Sequence, residues 1–285
     1  MNHAALKRRT RPAFFYLDLD DTVRRAALLT AAVRDKIPTI ASLKREYART
    51  LSQISDAPLN TAGEPRVVAG GPLLGIATTR GLVDKSVGAS SYNAQSRTIA
   101  IRHVQHALLF LRLQHPPLRE LCDLLITDIL CWPSVKAAGG STGDLLGVIW
   151  LAPSPGLTAL DIAECVIHEM VHMNLHLADM TFGLFTRARA IHFRAYSAVL
   201  GRRRPYYHAF HSACVAVAMI YFRLLLGLHG EANGLRSTLQ RCTSDLLGHQ
   251  AAFTPRAWNA ILAARAFSRA PTLSAIPVHK HLRRA

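Results

Sequence analysis

The stretch LLGVIWLAPSPGLTALDIAECVIHEMVHMNLHL, residues 145–177, holds the transition that decides the fold. Its first nine residues are an apolar run ending in Pro153, the pattern of a short buried strand. PSPG then turns the chain. Thr158 with Asp161 three residues on resembles a capping box, with Asp where Glu is usual. From there Ile162, Val166, Ile167, Met170 and Val171 recur at helical spacing. The helix so predicted carries HEMVH at 168–172. Residues four apart lie one turn apart on one face, so His168 and His172 can aim two imidazoles at a single ion. Glu169 sits about 100° round the helix, beside that point. The competing reading is two histidines on a solvated face.

Working outward, FFYLDLDDT (14–22) reads as a strand entering a turn. Residues 22–35 and 39–55 read as helices broken at Pro38, and 56–72 as loop. LLGIATT (73–79) reads as a strand. SSYNAQSRTIAIRHV reads as a strand leading into a helix that ends near His115. Leu118 to Leu130 is apolar at helical spacing, and KAAGGSTGD (136–144) is a glycine-rich loop. Downstream, Arg187 to Leu200 reads as a helix and RRRP interrupts it. Pro205 starts a second long apolar helix, closed by Gly227, Gly230 and Gly234. The tail from Pro255 is helical and then basic. Strands are few and scattered, so the expected class is a predominantly α-helical α+β fold with a metal site between two long helices. One domain over 1–285 is expected, with a helical part at 1–135, a metal-binding core at 136–230 and a tail at 255–285.

The chain has 285 residues, half of them hydrophobic, enough for a sizeable core. Lys and Arg outnumber Asp and Glu by 34 to 18, a formal charge of +16, including KRR at 7–9 and RRR at 202–204. A field of that sign attracts acidic partners. No basic stripe is interleaved with aromatic residues, which argues against nucleic acid. Cys122, Cys131, Cys165, Cys214 and Cys242 form no CxxC pair; an odd count at wide spacing fits reduced thiols in a cytoplasm. After the basic N-terminus only AFFYL precedes the acids of LDLDD, too short for a signal peptide's apolar core. The apolar run ACVAVAMIYF (213–222) ends at Arg223, short of a membrane span.

A catalytic metal site needs a third ligand and open positions. The extended HExxHxxGxxH pattern fails, since Leu175 and Ala178 stand where Gly and His belong. The next glutamate after Glu169 is Glu231, in a glycine-rich turn. His176 continues the histidine row but lies roughly 12 Å along the axis from His168, so one straight helix cannot converge all three. Asp179 fails likewise. The best remaining donors are His208 and His211, one turn apart near the start of the second long helix, with His211 deeper in the apolar pattern. His192 and His229 are the weaker choices. Three neutral imidazoles with open positions suit zinc hydrolysis and equally ferrous iron with an oxo acid and dioxygen.

The segment LLGVIWLAPSPGLTALDIAECVIHEMVHMNLHLADMTFGLF, followed after a gap by RRRPYYHAFHSACVAVA, resembles the HExxH-motif family of peptide-modification proteins. The resemblance covers roughly residues 140–225. Members described as peptide β-hydroxylases use Fe(II) and 2-oxoglutarate on ribosomally made peptides. The resemblance implies His168 and His172 as the paired ligands, His211 as a third, and Arg204 as a partner for the 2-oxoglutarate carboxylate, pairing bidentately. For Arg204 a structural place at the helix start is the alternative. Glu169 would then hydrogen-bond a ligand imidazole or bound water. The implied partner is a precursor peptide. The chain departs from the pattern in MNLH after the motif and in its triple arginine.

Two rival activities remain. In a zinc peptidase, Glu169 would deprotonate a metal-bound water. FFYLDLDDT also resembles the first motif of haloacid-dehalogenase-type phosphotransferases, with Asp18 as nucleophile and Asp20 as acid/base. There Thr78 or Thr79 would bind phosphate; Lys85 and Lys136 are followed by no acidic pair. A binding module with a decayed metal site is a third possibility. Ser141, Thr142 and Asp144 of the glycine loop either line the site mouth or cap structure.

Overall fold

The computed structural model describes residues 13–30, 39–83, 92–134, 137–186 and 192–278. Pro38, Lys85, Lys136, the basic triplet at 7–9, residues 187–191 and the last seven residues lie outside them. The described residues form a predominantly helical α+β fold.

Phe14 to Leu17 are all buried, but as a turn of 3-10 helix over Phe15–Leu17 rather than the expected strand. Four consecutive buried side chains carry no period-two signal, so burial alone misled the sequence reading. The acids that follow begin a helix. Asp18 accepts from the Asp21 amide at 2.8 Å and caps α1 (Leu19–Leu29). Helix α2 (Ile40–Ser55) follows, capped by Thr39. The expected loop at 56–72 contains β1 (Arg66–Val68). LLGIATT is not a strand. Pro72 stands at the first position of helix α3 (Pro72–Thr79), where its missing amide hydrogen costs no bond. Asn93 accepts from the Ser96 amide at 2.9 Å and starts α4 (Ala94–Gln114) directly, with no strand over the described residues before it. After α5 (Pro116–Leu125), the last residues of the expected helix are instead β2 (Asp128–Cys131), buried throughout. A short strand buried on both faces shows no alternation to betray it.

The glycine-rich loop contains β3 (Gly139–Ser141), and the apolar run yields β4 (Val148–Leu151). Gly147 enters β4 at φ 85°, and a Cβ there would come within 2.9 Å of Leu51. Its carbonyl accepts from the Thr127 amide at 2.7 Å, which locks β4 to β2. The sheet runs β1-β2-β4-β3, parallel except for β3, which is antiparallel to β4 and forms an edge.

Helix α6 (Ala159–Phe182) carries the HEMVH segment. Its capping box is complete: Thr158 accepts from the Asp161 amide at 3.2 Å, and Asp161 accepts from the Thr158 amide at 2.8 Å. Beyond it the expected helix at 187–200 is replaced, over its described residues, by β5 (Arg194–Tyr196) and a turn. β5 pairs antiparallel with β6 (Arg203–Pro205), so RRRP is a strand of a hairpin, not an interruption between helices. Pro205 then caps α7 (Tyr206–Leu225). Gly227 follows its end, while Gly230 and Gly234 lie inside α8 (His229–Leu247). Helix α9 (Pro255–Arg269) completes the elements.

Buried apolar side chains of these helices and the sheet form one continuous core, with α6 packed against α4, α5 and α7. By length and composition α7 alone among the described residues could cross a membrane, longer than the run at 213–222 implied, but 78% of its apolar window is buried in the protein. A buried network fastens α6. Arg25 donates to the Asn174 carbonyl and the Phe15 carbonyl, each at 2.9 Å, and pairs with Asp21 at 3.0 Å. Asp21 also accepts from Arg256 of α9 at 2.5 Å, and Asn174 donates to the Tyr16 carbonyl at 2.8 Å.

Candidate metal centre

Helix α6 turns one face toward β3 and α7, and a cavity of about 670 Å³ opens there. Its walls bring together His168, Glu169, His172, His208, His211, Arg204 and Ser141, together with His176. His192 and His229 are exposed and lie elsewhere. Asp144 is not on the wall, whereas Ser141 and Thr142 are.

The one-turn spacing of the motif brings the Nε2 atoms of His168 and His172 to 3.2 Å. Two nitrogens each about 2.0–2.1 Å from one zinc-sized ion would stand at such a separation. The other ring nitrogen of His172, Nδ1, meets Nδ1 of His211 at 3.1 Å across the α6–α7 contact. His211 thus lies against the edge of His172 that points away from the His168 nitrogen. Among the described residues no three His, Cys, Asp or Glu side chains converge on one point. The pair fits an ion by donor type and spacing; the third donor is in contact with the pair but not at the shared point.

Burial sets the protonation states. His168 is pushed down to about 4 by loss of solvent. His172 and His211 are held well below the ordinary imidazole value by burial and then by their histidine neighbours. These rings are neutral at neutral pH, the form that offers a lone pair to a metal. Glu169 is 5% exposed, and burial raises its carboxyl to about 7 against the hydrogen bond that Ser141 Oγ donates to its Oε2 at 2.6 Å. Its Oε1 lies 3.9 Å from His168 Nε2. Ser141 comes from the edge strand, so the antiparallel β3 is what holds this carboxylate beside the histidines.

Arg204 reaches the wall from β6. No carboxylate among the described residues pairs with it. Asp179, also on the wall, is engaged by the Leu184 amide at 2.6 Å. The turn residues Val199 and Leu200 also line the wall, as do Tyr207 and Ser212 of α7; the two turn residues were hidden by the helix expected at 187–200.

The residues of the phosphotransferase reading are dispersed in local structure. Asp18 caps α1, Asp20 is exposed, and the Thr78 and Thr79 hydroxyls donate to Leu74 and Gly75 of their own helix at 2.7 and 3.0 Å. No family model matches the chain, and no curated protein matches it.

Proposed function

We propose that the chain is an Fe(II)/2-oxoglutarate-dependent oxygenase that hydroxylates a ribosomally made peptide, working in the cytoplasm. The observation that carries this reading is Arg204, a guanidinium with no acidic partner among the described residues, on the wall of the cavity that holds the histidine cluster. A planar guanidinium pairs bidentately with a carboxylate, which is what the far end of a 2-oxo diacid presents. His168 and His172 would hold the metal, while His211, the third ligand implied by the resemblance, meets the other nitrogen of His172 and would steady that ring unless it turned toward the ion. Iron with 2-oxoglutarate and dioxygen supplies the oxidising power to break an unactivated C–H bond. The chain's own residues anchor the co-substrate, position the peptide and keep water from the centre.

A peptide substrate is supported by β3. Among the described residues it pairs with β4 on one side only, and its residues line the cavity. An unpaired strand edge offers backbone donors and acceptors to an extended chain. The cavity volume falls within the range of small-molecule sites, roughly 300–1,000 Å³. Reduced thiols fit the cytoplasmic assignment: the five cysteines are free, and burial raises each of them.

A zinc peptidase is the second reading, and Glu169 favours it. A buried carboxyl held near 7 beside the histidine pair is suited to take a proton from a metal-bound water. It leaves Arg204 without a task, which is why it ranks second. The deciding experiment is anaerobic loading with Fe(II) followed by assay of succinate formed from 2-oxoglutarate. Succinate that requires Fe(II) and is lost in Arg204→Ala supports the oxygenase. Zinc-dependent peptide cleavage abolished in Glu169→Gln, with no succinate, replaces it by the peptidase.

A further inference from the structure

Two neutral imidazoles that meet through nitrogen place one hydrogen between them, and here its direction matters. His172 of α6 and His211 of α7 meet Nδ1 to Nδ1 at 3.1 Å. A neutral imidazole carries its hydrogen on one ring nitrogen and a lone pair on the other. One Nδ1 must therefore donate and the other accept. If His211 donates, the His172 hydrogen sits on Nε2 and points at His168 Nε2, 3.2 Å away. No lone pair of His172 then faces the place where the motif pair would hold an ion. If His172 donates, its Nε2 lone pair is free for that place. Only the second arrangement is compatible with a metal on the motif histidines.

Turning His211 to bring a nitrogen to the same ion would undo this contact, and its surroundings oppose the turn. His211 is 7% exposed. Phe185 lies nearly parallel to its ring, at 23° with centroids 6.3 Å apart, and His176 stands against it at 5.2 Å. Ser212, the next residue, is held through its hydroxyl by Ser197 Oγ and the Val199 amide, each at 2.9 Å. Toward the far end of α7, Arg223 grips Glu164 of α6 with two hydrogen bonds, of 2.6 and 2.8 Å. Ring and helix are both fixed where Nδ1 faces Nδ1.

We infer that His211 is a positioning residue and not a metal ligand: its Nδ1 accepts from Nδ1 of His172 and so fixes the ring hydrogen that leaves His172 Nε2 open to the ion. Among the described residues the ion then takes two imidazole nitrogens, from His168 and His172. A group that orients a ligand ring in this way acts through that ring and not on the metal. The inference parts from the family resemblance, which implied His211 as a third ligand. It rests on the proposed reading only in that a metal occupies the motif pair; it needs neither 2-oxoglutarate nor a peptide.

The hydrogen placement is read in the metal-free full chain by proton–nitrogen correlation NMR over two bonds. His172 is expected to carry its hydrogen on Nδ1 and His211 on Nε2; the reverse assignment overturns the inference. The metal arm uses Co(II) and compares His211→Asn with His211→Ala. Asn keeps an acceptor oxygen near the place of Nδ1 but has no atom at that of Nε2. The expected affinity is within about threefold of the parent for His211→Asn and about 10–100-fold weaker for His211→Ala. Proton NMR of the Co(II)-loaded parent should show two metal-shifted ring N–H signals, both kept in His211→Asn. Equal losses in the two variants, or a third shifted signal that disappears in His211→Asn, overturn the inference and leave the metal centre standing. A parent that binds no Co(II) removes the centre and this role together. Where His211→Ala fails to fold, the hydrogen placement and the signal count decide.

Discussion

His172 and His211 meet through their Nδ1 atoms at 3.1 Å, while the Nε2 of His172 faces His168. One ring therefore joins α6 to α7 and at the same time presents the nitrogen nearest its motif partner. Losing this ring removes both links. His172→Ala is expected to abolish stoichiometric binding of Co(II) or Fe(II), and His211→Ala to lower affinity by about 10–100-fold or more. Calorimetric titration of the refolded, chelator-treated variants checks this. Full-affinity binding by His172→Ala sinks the centre.

The low proton affinity of the histidines makes the site tolerant of acid. With His168 pushed down to about 4 and His172 and His211 also lowered, protons do not compete for these rings near the ordinary imidazole value of about 6.5. Co(II) occupancy, followed by its absorption spectrum, should stay flat as pH falls through that value. A half-loss centred at 6.5 would show that the rings are solvated.

Lys44 is 2% exposed and donates to the Ile126 carbonyl at 2.6 Å, yet burial lowers its ammonium to about 7. Below that pH both folded and unfolded chains are protonated and the burial cost stands in full. From about 7 up to the unfolded value, only the unfolded chain keeps the proton, so stability rises with pH. Lys44 should contribute a rise on the order of 3 kcal/mol between pH 7 and 9.5. Urea unfolding at pH 7 and 9.5 measures it, and Lys44→Met removes the pH-dependent part. An equal slope in the variant refutes the assignment.

The buried pair of Asp21 and Arg25 should be costly to split. Asp21→Asn leaves Arg25 and Arg256 without their shared carboxylate, and a loss of about 3–5 kcal/mol is expected. Thermal unfolding reports it. A change within experimental error would mean that the network is solvated.

Asp18 gives a sharp test of the phosphotransferase alternative. As a helix cap it tolerates Asn, which caps equally well, whereas Ala costs about 1 kcal/mol. Asp18→Asn should match the parent in stability and in any turnover of p-nitrophenyl phosphate. An activity present in the parent and lost in Asp18→Asn would restore the nucleophile.

What the sequence disclosed was local and periodic. Thr158 and Asp161 announce the start of α6, and the i, i+4 spacing of His168 and His172 announces their shared face, because one helical turn fixes both. The distant partners were partly legible: His211 stood out as an imidazole in an apolar row, and the fold sets it against His172. The hairpin of β5 and β6 was hidden. Its strands are three residues each, and the Arg187–Leu200 stretch has the composition of a helix. Its register depends on pairing with RRRP, which no local pattern reveals. β2 was hidden for a related reason, being buried on both faces. The link from Ser141 to Glu169 depends on which strand occupies the sheet edge, a tertiary fact.

The Arg25 bonds to Asn174 and the Arg256 contact to Asp21 tie the histidine helix to segments near both ends of the described chain. A fragment cut to the motif and its neighbours would lose the two braces that hold the helix from behind. The histidine cluster is thus inherited only as a whole: the residues lining its cavity fall within about a quarter of the length, but the rigidity that aligns them is supplied by residues far away in sequence.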